Sequence, residues 1–252
     1  MSRQDGGTRK GSATLPHIAW RLEGMIAGIA ERRPRASGAI EQALRKVPRH
    51  WFVPDQGLAL DDHGDATPID REIDPQTWWD AVYSAVPIAT PVTTPVATQL
   101  GTQQLATPPG EGRGGTAYTC VNPAPSRVVD LLELLDSRPG LRVLEVGTGS
   151  GWITALLCRL TGDSGSVTSV ESDAVVASAA GRNLAAAGVR PYLVMGDLAR
   201  GCPERAPYDR VLAPFTVPDS WLAQTRPGAV IVGGDDLSRL AVTAGRGDGR
   251  SL

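Results

Sequence analysis

The apolar run Val143-Leu144-Glu145-Val146 passes without interruption into Gly147-Thr148-Gly149-Ser150-Gly151 and then, from Trp152, into a helical pattern. A strand, a glycine turn and a helix in direct succession confine the chain to an α/β architecture with the turn at a strand's carboxyl end. Glycines there permit dihedrals and close ligand approach that a β-carbon obstructs, and the helix start presents free N–H groups. The spacing G-x-G-x-G is not the G-x-G-x-x-G of dinucleotide binders. Glu145 sets an anion beside the turn, which suits a ligand with positive charge better than a phosphate. S-adenosylmethionine, with an ammonium and a sulfonium, is such a ligand.

Two further units point the same way. The β-branched stretch Ser166-Val167-Thr168-Ser169-Val170 reads as a strand with Glu171 and Ser172 at its end. Glu171 falls some 20 residues past the glycines, where a ribose-binding acid is expected. A helical run over 174–187, a stop at Gly188 and a strand over 192–195 lead to Gly196-Asp197-Leu198. Asp197 is placed to bond an adenine amino group, with Leu198 beside it. Strands over 142–146, 166–170, 192–195, 210–214 and 229–232 alternate with helices, which predicts a right-handed, mostly parallel twisted sheet of Rossmann-like type.

These segments resemble the protein-L-isoaspartate O-methyltransferases, within the S-adenosylmethionine-dependent methyltransferases of Rossmann-like fold. The resemblance covers residues 47–53 and 125–232. Arg142 to Gly151 is similar to the family's cofactor motif and Gly196-Asp197 to its adenine motif. Gly201-Cys202-Pro203-Glu204-Arg205-Ala206-Pro207-Tyr208-Asp209-Arg210-Val211 resembles the segment that separates this family from generic methyltransferases, and Val47-Pro48-Arg49-His50-Trp51-Phe52-Val53-Pro54 resembles the close of its N-terminal helical region. Trp221 to Gly228, with Trp78-Trp79 and Tyr83-Ser84, is similar to a branch associated with peptide maturation by ATP-grasp ligases. The resemblance implies S-adenosylmethionine as cofactor, held by Glu145, Gly147, Thr148, Gly149, Ser150, Gly151, Glu171, Ser172, Asp197 and Leu198. It implies an Asp or isoAsp carboxylate of a peptide or protein as methyl acceptor. A carboxylate is already a nucleophile, so alignment and exclusion of water suffice.

The family carries a T-x-S-x-P element before the helix that leads to the glycine motif, and this chain departs from it. Either Pro123 or Val121 stands on the serine, according to whether Pro125 or Thr119 is aligned, and neither donates a hydroxyl. Thr119, Asn122 and Ser126, with Cys120, are the polar candidates on the acceptor side. The same departure supports two alternatives: a catalytically impaired cofactor-binding protein that recognises a peptide or partner, or a methyltransferase of small-molecule acids. The family also continues past 240–243 with a further strand, whereas this chain runs into Gly245-Arg246-Gly247-Asp248-Gly249-Arg250, which predicts a curtailed sheet edge.

Residues 1–14 read as a polar N-terminus without a signal-peptide core, 15–124 as a helical region with an insertion, and 125–252 as the methyltransferase domain. Amphipathic helices are predicted over 16–30 and 39–47, joined by the basic Arg32, Arg33 and Arg35. The acidic stretch 55–74 reads as loop. Its His63 among Asp61, Asp62 and Asp65 is read as solvated and not as a metal site. Residues 90–115, rich in Thr, Pro, Gln and Gly, read as an extended loop able to cover a peptide. With 252 residues and a net charge of −2, the chain is long enough for a substantial core and shows no basic patch for nucleic acid or anionic membrane. Cys120, Cys158 and Cys202 show neither disulfide nor zinc spacing, which predicts free thiols and a cytoplasmic protein. His50 is read as a cap-region histidine before an acid or base.

Overall fold

A computed structural model describes residues 16–32, 37–91, 118–213, 218–233 and 238–242. Helix α1, Pro16–Arg32, starts on a proline whose fixed φ suits a first turn, and buries Ile18, Leu22, Met25, Ile26 and Ile29 at helical spacing. Helix α2, Gly38–Lys46, is capped by the Ser37 hydroxyl, which accepts from the Ala39 N–H at 3.2 Å.

The stretch expected to be a loop over 55–74 instead contains strands β1, Gln56–Leu60, and β2, Ala66–Asp70, paired antiparallel. Asp61 closes their turn by accepting from the N–H groups of His63 and Asp65 at 2.9 and 2.8 Å. The acids that suggested solvated loop are thus turn formers, and Pro68 sits on an edge strand, where it is tolerated. Helix α3, Pro75–Tyr83, is capped by Asp74, which accepts from Thr77. Strands β3, Ile88–Pro91, and β4, Tyr118–Asn122, complete a four-stranded antiparallel sheet of order β2-β1-β3-β4. The N-terminal region is therefore mixed and not helical alone. Residues 92–117, which hold most of the predicted covering loop, lie outside the described residues, as do 1–15 and the Arg33 and Arg35 of the predicted basic connection.

After helix α4, Pro125–Leu135, the chain alternates as expected: β5, Arg142–Val146; α5, Trp152–Thr161; β6, Ser166–Glu171; α6, Ala174–Ala186; β7, Tyr192–Met195; β8, Tyr208–Leu212; α7, Asp219–Leu222; β9, Thr225–Gly233; and β10, Ser238–Ala241. The second sheet has the order β10-β9-β8-β5-β6-β7. All its pairs are parallel except β10 on β9, which runs antiparallel from Ser238 opposite Gly233 to Ala241 opposite Val230. That edge strand was not placed from sequence, and residues 243–252 lie outside the described ones.

Side chains of β5 alternate between two cores. Val143 joins the cluster containing Leu22, Leu44, Val129, Trp152 and Leu156, while Leu144 and Val146 join Val170, Tyr208, Val211, Trp221 and Ile231 on the other face. The strand order reverses between β5 and β8, the point at which open α/β sheets leave a crevice outside the strands' carboxyl ends. The loop after β5 opens into it.

Candidate functional site

Gly149 and Gly151 take φ values of 53° and 86° in that loop, a region open to glycine and strained for other residues. At Gly151 a β-carbon would stand 3.1 Å from Leu184 Cγ, so glycine also lets α6 approach. At Gly149 a β-carbon would meet no protein atom within 4 Å. The space in front of that residue is open, as a ligand cradle requires.

Glu171, at the end of β6, is 3% exposed and faces the loop. Its Oε2 accepts from the Gly149 N–H at 3.0 Å, and its Oε1 accepts from the N–H groups of Ser172 and Asp173 at 2.9 and 3.1 Å. A carboxylate offers about four lone-pair sites, so one remains for a hydroxyl donor such as a ribose. Asp197, after β7, is exposed and accepts from the Ala199 N–H at 2.9 Å through Oδ1. Leu198 turns its side chain into the core shared with Val146 and Val170, and its carbonyl accepts from Trp221 Nε1 at 3.1 Å. Its side chain is therefore taken up by the core.

Glu145 departs from its expected place beside the ligand. It is 2% exposed, and its Oε2 accepts from the hydroxyls of Thr154 at 2.5 Å and Ser169 at 2.8 Å. Thr148, also buried, contacts the Ser169 hydroxyl at 2.7 Å. Glu145 and Thr148 thus anchor the loop from beneath, tying β5, β6 and α5 together. Burial raises the Glu145 pKa to about 7, against the two hydroxyl hydrogen bonds, and the neighbouring Glu171 charge adds to the rise.

On the acceptor side the candidates separate. Thr119 is spent within its sheet, donating to the Thr90 carbonyl at 3.3 Å, and the Cys120 thiol faces Thr90 Oγ1 at 3.5 Å. Ser126 lies in the first turn of α4 and lines a cavity of about 340 Å³ together with Tyr83, Ser84 and Pro125. Asn122 is buried and reaches the glycine loop, its Nδ2 donating to Ser150 Oγ at 3.1 Å. His50 Nδ1 lies 2.6 Å from the Tyr83 hydroxyl, with its ring 5.1 Å from that of Trp79.

Sequence reasoning missed Arg49. It is fully buried, and it holds the carbonyls of Val82, Val86, Asn122 and Pro123 as well as the Asn122 side chain. Trp152, the first residue of α5, donates its Nε1 to the Val47 carbonyl at 3.0 Å. The segment from Val47 to Pro54 therefore ties the N-terminal region to the start of α5, behind the glycine loop, and to the connection between β4 and α4. Its V-P-R spelling was the available signal. Among the described residues no group of three His, Cys, Asp or Glu side chains could hold a metal, and no helix is long and apolar enough to cross a membrane.

Comparison with known proteins points to one family. The family model described as protein-L-isoaspartate(D-aspartate) O-methyltransferase matches residues 115–238. A protein-L-isoaspartate O-methyltransferase of Methanopyrus kandleri is 34% identical over 202 residues, covering 78% of this chain and 68% of that protein. The chain spans between half and about two thirds of the length of the curated relatives it matches. A solved protein-L-isoaspartate O-methyltransferase superposes with a TM-score of 0.61 at 20% identity, over 89% of this chain and 66% of that one. A second, from Plasmodium falciparum and described as a putative member in complex with S-adenosyl-L-homocysteine, gives 0.57 at 12% identity, over 89% and 90%. The fold is the Rossmann-like fold of S-adenosylmethionine-dependent methyltransferases.

Proposed function

The chain belongs to the protein-L-isoaspartate O-methyltransferase family, and from that membership we propose that it transfers the methyl group of S-adenosylmethionine to an Asp or isoAsp carboxylate of a peptide or protein. The observation that carries this reading is the bond between Gly149 and Glu171. It brings the glycine turn after β5 against the carboxylate that ends β6, beside the sheet's switch point, which supports a cradle with a ribose-binding acid. Bound there, S-adenosylmethionine supplies a methyl group already activated by its sulfonium. The protein has to bind, align and exclude water, because the acceptor carboxylate is ionised at neutral pH and needs no base.

In this reading Gly147 to Gly151 cradle the cofactor, Glu171 and Ser172 take its ribose, and Asp197 with the Leu198 backbone borders adenine. On the acceptor side, Ser126 is the polar candidate that lines an open cavity, between α1, α3 and α4. The three free thiols and the near-neutral charge support a cytoplasmic enzyme acting on peptides or proteins and not on nucleic acid. One observation favours a second reading: neither Val121 nor Pro123 offers a side-chain donor where the family carries serine, which fits a cofactor-binding protein without transfer.

Incubation with S-adenosylmethionine and an isoAsp peptide, followed by mass spectrometry, separates the two. A peptide heavier by one methyl group in place of a proton supports the enzyme. Tight S-adenosylhomocysteine binding without any transfer, across isoAsp and Asp peptides, supports the second reading.

A further inference from the structure

Arg49 is a buried cation with no carboxylate partner among the described residues. Buried charges are ordinarily paired, because taking an ion out of water is expensive. Burial accordingly pulls its pKa down to about 9. Its partners are carbonyls, one carboxamide oxygen and the Trp152 ring, whose centroid lies 5.6 Å from Cζ.

A guanidinium only donates, and that fixes the direction of everything bonded in series with it. Arg49 Nε donates to Asn122 Oδ1 at 3.0 Å, so the carboxamide must turn its NH₂ group the other way. That group donates to the Phe52 carbonyl at 3.5 Å and to Ser150 Oγ at 3.1 Å. The Ser150 oxygen is thereby an acceptor, and its single proton is left to point elsewhere. Among the described residues that proton has no protein acceptor. Ser150 is half-buried, between Gly149 and Gly151 of the cradle, and its own carbonyl is held by Asn183 Nδ2 at 3.1 Å.

We propose that Arg49 and Asn122 are positioning residues that set the polarity of this chain, so that Ser150 presents its hydroxyl proton to the carboxylate at the methionine end of the cofactor. The proposal rests on the S-adenosylmethionine reading. It gives the unneutralised cation a purpose: the donor series starts at a fixed positive charge and ends on an anion. It also supplies a side-chain donor to the site from the glycine loop, where positions 121 and 123 supply none.

The test is calorimetric titration of the full chain with two ligands, S-adenosylhomocysteine and 5′-methylthioadenosine, which shares the nucleoside and thioether but lacks the amino-acid end. Asn122→Asp keeps the shape and gives Arg49 a counter-charge, while its carboxylate oxygen draws the Ser150 proton inward. S-adenosylhomocysteine should bind about tenfold or more weakly to this variant, with 5′-methylthioadenosine affinity unchanged. Ser150→Ala, a milder change that does not touch Arg49, should show the same selective loss, and the double variant should lose no more than Ser150→Ala alone. Equal loss for both ligands would mean that the series only shapes the loop, and no loss would mean that the proton goes elsewhere. Either result overturns the proposal while leaving the methyltransferase reading intact. Failure of the folded wild-type protein to bind either ligand overturns both.

Discussion

The backbone N–H of Gly149 donates to the carboxylate of Glu171 across 3.0 Å, joining the turn after β5 to the end of β6. One carboxylate thus organises three amides, those of Gly149, Ser172 and Asp173, while its side chain stays almost wholly out of solvent. Under the proposed function, shaping the cradle and contacting the ligand fall to the same group.

Glu171→Ala removes that organiser and the remaining acceptor site together. Hydrogen bonds to a charged group contribute about 1.5–3 kcal/mol. S-adenosylhomocysteine affinity should therefore fall by roughly one to two orders of magnitude, read by calorimetry. Unchanged affinity in the folded variant would remove Glu171 from the ribose site.

Alanine at the two crevice glycines should give opposite profiles. Each substitution places a β-carbon in left-handed backbone, at about 1–2 kcal/mol. At Gly151 the new methyl also meets Leu184 Cγ at 3.1 Å. Gly151→Ala should therefore destabilise the fold by more than Gly149→Ala in a denaturant titration. Gly149→Ala, whose methyl enters empty space in front of the loop, should retain the fold and weaken S-adenosylhomocysteine by about tenfold or more. The reverse ranking would place the ligand elsewhere.

Arg49 supplies a stability prediction independent of its proposed part in ligand binding. Arg49→Met removes the cation and leaves the carbonyls of Val82, Val86, Asn122 and Pro123 without their donor. A buried acceptor left without its donor costs about 1–3 kcal/mol, so Arg49→Met should be clearly less stable than wild type. Arg49→Lys keeps the charge but offers fewer donors and no planar fork, so its midpoint in urea should lie between those of wild type and Arg49→Met. A neutral Arg49→Met would show that the carbonyl shell re-forms around water.

The strands and helices of the second sheet could be read from the chain because parallel strands buried on both faces spell continuous apolar runs. Val143-Leu144 shows this directly, whereas Ser166 to Val170 is legible from its β-branched residues. The antiparallel sheet of the N-terminal half escaped notice for the opposite reason. Strands β1 and β2 are short and half-exposed, and Asp61 and Asp70, which looked like solvated acids, are bonded to backbone N–H groups at the strand ends. At the candidate site, glycine spacing and strand-end acids single out Gly149 and Glu171, which the fold brings into contact. Nothing local to Glu145 reveals that it turns beneath the loop, because its partners Thr154 and Ser169 come from later elements. Arg49 and Asn122 are 73 residues apart, so their pairing is a property of the fold and of no motif.

Glu145 makes the stability of the protein depend on pH. Its pKa rises from 4.5 to about 7 on folding, with burial as the principal cause. Between those values the folded state binds more protons than the unfolded state, so stability falls as pH rises through the window. A shift of this size corresponds to about 3 kcal/mol at about 1.4 kcal/mol per unit. Glu145→Gln keeps an oxygen for the Thr154 and Ser169 hydroxyls but has nothing to ionise. Relative to wild type, the variant should therefore gain about 3 kcal/mol between about pH 4 and about pH 8, measured by urea titration at each pH. A difference that stays flat across the window would mean that Glu145 ionises normally in the folded protein, with water or a rearranged Thr154 admitted beneath the loop.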